Sequence, residues 1–348
     1  MTPEEYFFNM YLGRELGVCG DLIYKGFESL ENDSPIIKTG EEEKLTYLNE
    51  APAFSFLINT SVAFERLGKI IILFLLRKNK PDEIEAFLSD IKDDKTVFTS
   101  SEKGLNEKAK KILKSHKSIA IVNYIHRLDS GRLDLTTNDR SLLQSFDEFY
   151  GKFRYGRFHP KNIDGYNQDS VIVNKLLNDF LGKNLKPKSC CDSEKERALY
   201  SLGICINELS HKYYNAVKEL ATEMNVYTYE LRNYSYAQLV FWNQEHSLHE
   251  LFIRQRIARE ELFYFLTYNQ IKTKINKKIP KAEIPLPLDI NFDGVEVFLK
   301  FGNDISLVDS VSDALDWWAG LDDDSEKQQK IEEREHEVQE LIKLFSKE

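Results

Sequence analysis

Between Pro52 and Pro81 the chain carries one long apolar stretch, and the only acidic residue inside it is Glu65. At 3.6 residues per turn this stretch makes roughly eight turns of helix. Phe54, Leu57, Ile58, Ser61, Phe64, Leu67, Gly68, Ile71 and Phe74 recur on it at helical spacing and form a broad stripe. A helix apolar over so much of its circumference has to be covered by other elements on several sides. Its most apolar run, IIILFLL at residues 70 to 76, is too short to cross a bilayer and reads as buried helix. The chain is therefore expected to be all-α, built as an antiparallel helical bundle around this segment.

The rest of the sequence supplies candidate partners. Helical spacing runs over residues 4 to 30, and a polar, proline-containing loop is predicted over 31 to 44. Pro81 opens a short helix near 82 to 90, and one helix of about 106 to 130 carries His116 and His126. Thr137 or Asn138 is the predicted cap of a helix from about 139 to 158. Further helices are expected near 168–183, 193–223, 243–278 and 305–319, with a charged terminal helix carrying Ile331, Val338, Leu341 and Leu344 as a thin apolar stripe. Around Asp293-Gly294 the alternating pattern predicts one short β-hairpin near 284–300. The lysine-rich stretch near 185 is the predicted boundary, dividing the chain into a bundle (1–184), an accessory helical region (185–320) and the charged helix (321–348).

Composition narrows the function classes. A formal charge of −10 argues against a protein that coats duplex DNA, which needs a basic surface, but permits a small basic cleft. Cys19, Cys190, Cys191 and Cys205 show no metal-ligand spacing, so no metal is expected and a reducing cytoplasm fits best. The acidic N-terminus MTPEEYFFNM does not read as a signal peptide, and no apolar run is long enough to span a membrane. Glycine-rich phosphate loops, the dinucleotide fingerprint and the hydrolase elbow are missing, and no cofactor is expected. His246 and His249 stand three apart beside Glu245 and Glu250, a spacing that suits a surface pair better than a metal site lacking a third ligand.

Chemistry-bearing side chains are densest in FYGKFRYGRFHP, residues 149 to 160. Arg154 and Arg157 could hold phosphate, and His159 could move a proton at a helix C-terminus ended by Pro160. The same aromatics also suit a packed core with the arginines on a solvated rim. The tyrosines of NVYTYELRNYSYAQ likewise suit either a binding surface or an aromatic seam.

In order and motif, residues of about 50 to 182 resemble the HEPN domains, helical bundles in which an early helix holds an inward-facing acid and a late helix holds arginine followed four to six residues on by histidine. Glu65, in AFERLGK, matches the acid, and Arg154 with His159, in RYGRFH, matches the late motif. The resemblance implies a metal-independent endoribonuclease, usually a homodimer, in some cases the effector of a defence or toxin system. It assigns acid/base chemistry to His159, phosphate binding to Arg154 and orientation to Glu65, with Arg157 added here as a second clamp. Imidazole can take a proton from a ribose 2′-hydroxyl while guanidinium groups hold the phosphate. Many domains of this fold only bind or scaffold, and in that second reading Arg154 and Glu65 form a buried ion pair joining helices, with a protein partner in place of RNA.

Overall fold

The computed structural model describes residues 2–32, 36–39, 44–47, 49–90, 105–154, 168–181, 194–226, 236–242, 247–278, 283–301, 304–320 and 324–346. Among the described residues the fold is all-α apart from one small hairpin. It groups into two compact units, Met1–His249 and Glu250–Glu348. The expected division at 184/185 lies inside the first of them, because the helix that follows it packs back onto the central helix.

The first unit opens with α1 (Pro3–Tyr6), a π-helical turn (Phe7–Tyr11) and α2 (Leu12–Asn32). Part of the predicted loop is instead paired: β1 (Ile36–Thr39) lies antiparallel to β2 (Lys44–Tyr47), with Ile36 opposite Tyr47 and Thr39 opposite Lys44. The amide of Tyr47 donates to Asn174 Oδ1 at 2.5 Å, which ties the hairpin to a later helix and accounts for order in a short two-stranded element.

Next come α3 (Glu50–Asn79), α4 (Pro81–Asp90), α5 (Glu107–Leu113), α6 (Ser118–Leu128), α7 (Thr137–Glu148) with a π-helical turn (Phe149–Phe153), α8 (Gln168–Leu181), α9 (Glu194–Glu223) and α10 (Tyr236–Trp242). As the apolar stripe predicts, α3 is central: α2, α4, α6, α7, α8 and α9 all contact it. Phe56, Leu57, Phe64, Leu67, Ile71 and Phe74 are fully buried on it.

Two predicted helices are shorter than expected. The 106–130 segment breaks at 114–117, where KSHK interrupts the apolar periodicity, and resumes as α6. The cap of α7 is Thr136, one residue earlier than predicted: its side chain accepts from the Asp139 amide and Asp139 answers on the Thr136 amide, a reciprocal capping box. Regular α-helix then ends at Glu148.

The second unit comprises α11 (Leu248–Lys278) beyond its first two residues, α12 (Phe292–Phe301), α13 (Asp304–Ala319) and α14 (Asp324–Ser346). The predicted β-hairpin near 284–300 is not formed: residues 283–291 are irregular and Asp293-Gly294 is the first turn of α12. Asn291 accepts from the Asp293 amide at 3.0 Å, as a helix cap does. Gly294 serves close packing here and not a turn, since a Cβ there would lie 1.8 Å from Ser310 Oγ on α13. Buried Val338 places the thin stripe of α14 against Tyr264, Ile271 and Ile275 of α11.

Candidate functional site

Glu65 faces inward on α3 and is only 6% exposed. A buried carboxylate must be paired, and both of its oxygens are engaged. Oε1 accepts from Lys69 Nζ at 2.5 Å, one turn further along α3. Oε2 lies 3.0 Å from Nδ1 of His116, whose side chain is 59% exposed. A carboxylate accepts, so Nδ1 is the donor in this contact and Nε2 is the ring nitrogen left outside it.

His116 owes its position to the break between α5 and α6. Lys117 occupies the cap position of α6 and gives it no side-chain cap, so Asp147 of α7 supplies one, accepting from the amides of Ser118 at 2.6 Å and Ile119 at 3.0 Å. Burial pushes the Asp147 carboxyl up from its ordinary value, and the two amides work in the opposite direction. Beneath this junction Tyr213 is fully buried against Phe64, with its hydroxyl held far above the usual range by burial and by Asp147 and Asp139.

The π-helical turn after α7 completes the group. Its wider i→i+5 bonding, seen where the Arg154 amide donates to the Phe149 carbonyl at 2.9 Å, re-aims the side chains after Glu148. Tyr150 stacks on the His116 ring with centroids 5.2 Å apart, and the Arg154 guanidinium sits over the Tyr150 ring at 4.4 Å. Glu65, His116, Tyr150 and Arg154 thus form one contiguous chain of contacts, with Lys69 beside it.

Two of the four predicted site residues, Glu65 and Arg154, are therefore brought into one cluster. His159 and Arg157 lie outside the described residues, as do Cys190, Cys191, His246, Glu245 and the tyrosines from 227 to 234. The predicted Glu65–Arg154 ion pair of the scaffold reading does not form, because Lys69 and His116 occupy the carboxylate. Sequence reasoning does not single out His116, Lys69, Tyr150 or Asp147 as site residues. The usable signal was KSHKS, a polar interruption between Leu113 and Ile119 that breaks the helix and turns a histidine outward.

A second histidine–carboxylate contact, His249 Nδ1 to Glu31 Oε1 at 2.6 Å, is buried, with the His249 side chain 4% exposed, and presents nothing to a solute. Among the described residues no group of three or more His, Cys, Asp or Glu is arranged to hold a metal ion, and no helix is long and apolar enough to cross a membrane. Comparison with protein-family models, with curated proteins and with solved structures finds no match to this chain.

Proposed function

We propose that this chain cleaves single-stranded RNA by transesterification, with His116 as the proton-transfer group. The observation that carries this reading is the pairing of a buried carboxylate with the Nδ1 of an imidazole that is more than half exposed. Such a dyad fixes the tautomer and directs Nε2 outward, the arrangement that proton transfer requires. Arg154, braced on Tyr150, supplies positive charge beside the dyad, and Lys69 offsets the charge of the carboxylate itself.

In the proposed reaction Nε2 takes the proton of a ribose 2′-hydroxyl, and the freed oxygen attacks the adjacent phosphorus. The bond from phosphorus to the 5′-oxygen breaks, leaving a 2′,3′-cyclic phosphate. The imidazolium returns its proton to the departing 5′-oxygen. Arg154 holds the non-bridging oxygens as charge builds on them. His159, which completes the HEPN-like motif with Arg154, and Arg157, which lies between them in sequence, enter this reading as a second acid/base and a second phosphate clamp.

The test is cleavage of several single-stranded RNAs in chelator by the native chain and by His116→Ala, Arg154→Ala and His159→Ala. Loss of roughly 100-fold or more in rate for His116→Ala is the expected result. Uncut RNA with the native chain overturns the reading. Full activity in His116→Ala together with loss in His159→Ala would move the chemistry to the sequence motif and away from the dyad.

A further inference from the structure

Helix α11 carries seven Lys and Arg against three Glu in a chain whose net charge is −10. Its charges are also sorted by direction. Glu250 and Glu261 are buried, and Glu260 is engaged by Gln339 of α14 at 3.0 Å. Arg256, Arg259, Phe263, Leu266, Gln270 and Lys277 recur at helical steps and are all exposed, Phe263 at 39% and Leu266 at 61%. The covered side of the helix, Tyr264, Ile271 and Ile275, belongs to the core it shares with α14. One solvent face of α11 therefore runs cationic, aromatic and apolar, then cationic, with Glu260 at its edge held by Gln339. From Arg256 to Lys277 it extends about 32 Å.

The arrangement says what can cover this face. A second copy laid antiparallel across Leu266 would set Arg256 against Lys277, and a parallel copy would set each cation against itself, so self-pairing is opposed at both ends. A flexible polyanion with stackable bases meets both demands: phosphates at the two cationic ends and a base on Phe263 between them. We infer that the exposed face of α11 is a binding surface for single-stranded RNA. The choice of RNA as the polyanion rests on the function proposed above; the existence of an anion-binding face does not.

The probe is a labelled 2′-O-methyl oligouridine, which has no free 2′-hydroxyl and cannot be cleaved, so binding is measured apart from catalysis. Anisotropy titrations of the full chain at several salt concentrations should give a linear log–log dependence. Arg256→Gln with Lys277→Gln should weaken binding at least tenfold and reduce the salt slope by about 1.4, at roughly 0.7 per lost contact on a single strand. Phe263→Ala should weaken binding about tenfold with the slope unchanged. Arg256→Lys with Lys277→Arg should bind as the native chain does, which separates charge from folding. No binding by the native chain, or native affinity and slope in both the charge-removing variant and Phe263→Ala, overturns the inference. So does equal competition by polyglutamate, which would make this an acidic-polypeptide surface. Binding without any cleavage of unmodified RNA would count against the catalytic reading alone, and cleavage of short RNA without oligouridine binding against this inference alone.

Discussion

Asp147 caps a helix to which it does not belong: its carboxylate accepts from the amide of Ser118 at 2.6 Å, and from that of Ile119 at 3.0 Å, at the start of α6. Two residues upstream of that cap stands His116. The contact holds α6 to α7, and with it the distance from His116 to Glu65 and Tyr150. Asp147→Ala is expected to lower stability by about 1–2 kcal/mol, the range for loss of an N-cap, read as a shift in the denaturant midpoint with unchanged slope. Asp147→Asn keeps an acceptor and should lose about half as much. Unchanged midpoints in both would show that α6 begins without this cap.

Two glycines should respond in opposite directions to alanine. A Cβ on Gly20 of α2 would lie 2.5 Å from Ala237 Cα and 3.0 Å from a Phe241 ring carbon, so the backbone of α10 would have to retreat. Gly20→Ala should cost about 1–3 kcal/mol, as overpacking does. Gly151, in the π-helical turn between Tyr150 and Arg154, meets nothing within 4 Å. Gly151→Ala should stabilise by about 0.5–1 kcal/mol through helix propensity, and the pair of melting curves decides both cases.

The sequence pattern located α3, its buried face and its lone acid, because a nearly all-round apolar helix declares itself locally. The grouping of Arg154 with that acid comes from the family resemblance and not from the periodicity. The pattern did not single out His116, whose contact with Glu65 spans 51 residues and whose exposure depends on a cap supplied from 29 residues away. No local periodicity encodes such contacts. The helical Asp293-Gly294 departs from its local pattern for a similar reason. That dipeptide reads as a turn until Ser306 and Ser310 come close enough to require a residue without a side chain.

Acid should remove a defined part of the stability through Glu223. Its carboxyl is held below the ordinary value of 4.5, first by Lys78 at 2.7 Å and, against some burial, by Arg132 at 2.8 Å. A depressed carboxyl adds stability above its unfolded value and loses it as pH falls through the folded one. Glu223→Gln should therefore be less stable than the native chain at neutral pH, by about 0.5–1 kcal/mol after solvent screening of an exposed cluster. The gap should close below the 4.5 region. A gap that stays constant down to strong acid would remove Glu223 from the account.

In the second unit Arg334 and Glu261 form a two-pronged pair, Nε to Oε1 at 2.8 Å and an outer nitrogen to Oε2 at 3.0 Å, with each side chain 1% exposed. Burial pushes the Glu261 carboxyl up and Arg334 opposes the shift, so removing Arg334 strands a carboxylate in an apolar setting. Arg334→Ala should cost about 3–5 kcal/mol, because the lone charge is penalised and not merely deprived of a partner. Replacing both, as Glu261→Leu with Arg334→Met, should recover most of that loss, since neither charge then has to be desolvated. Recovery should be incomplete. Arg334 also donates to the Leu286 carbonyl at 3.1 Å, and its guanidinium lies 5.0 Å from the Trp318 ring centre. Trp318 lets tryptophan fluorescence follow the transition. If the double replacement unfolds as early as Arg334→Ala, the loss comes from the packing of the arginine and not from an unpaired carboxylate.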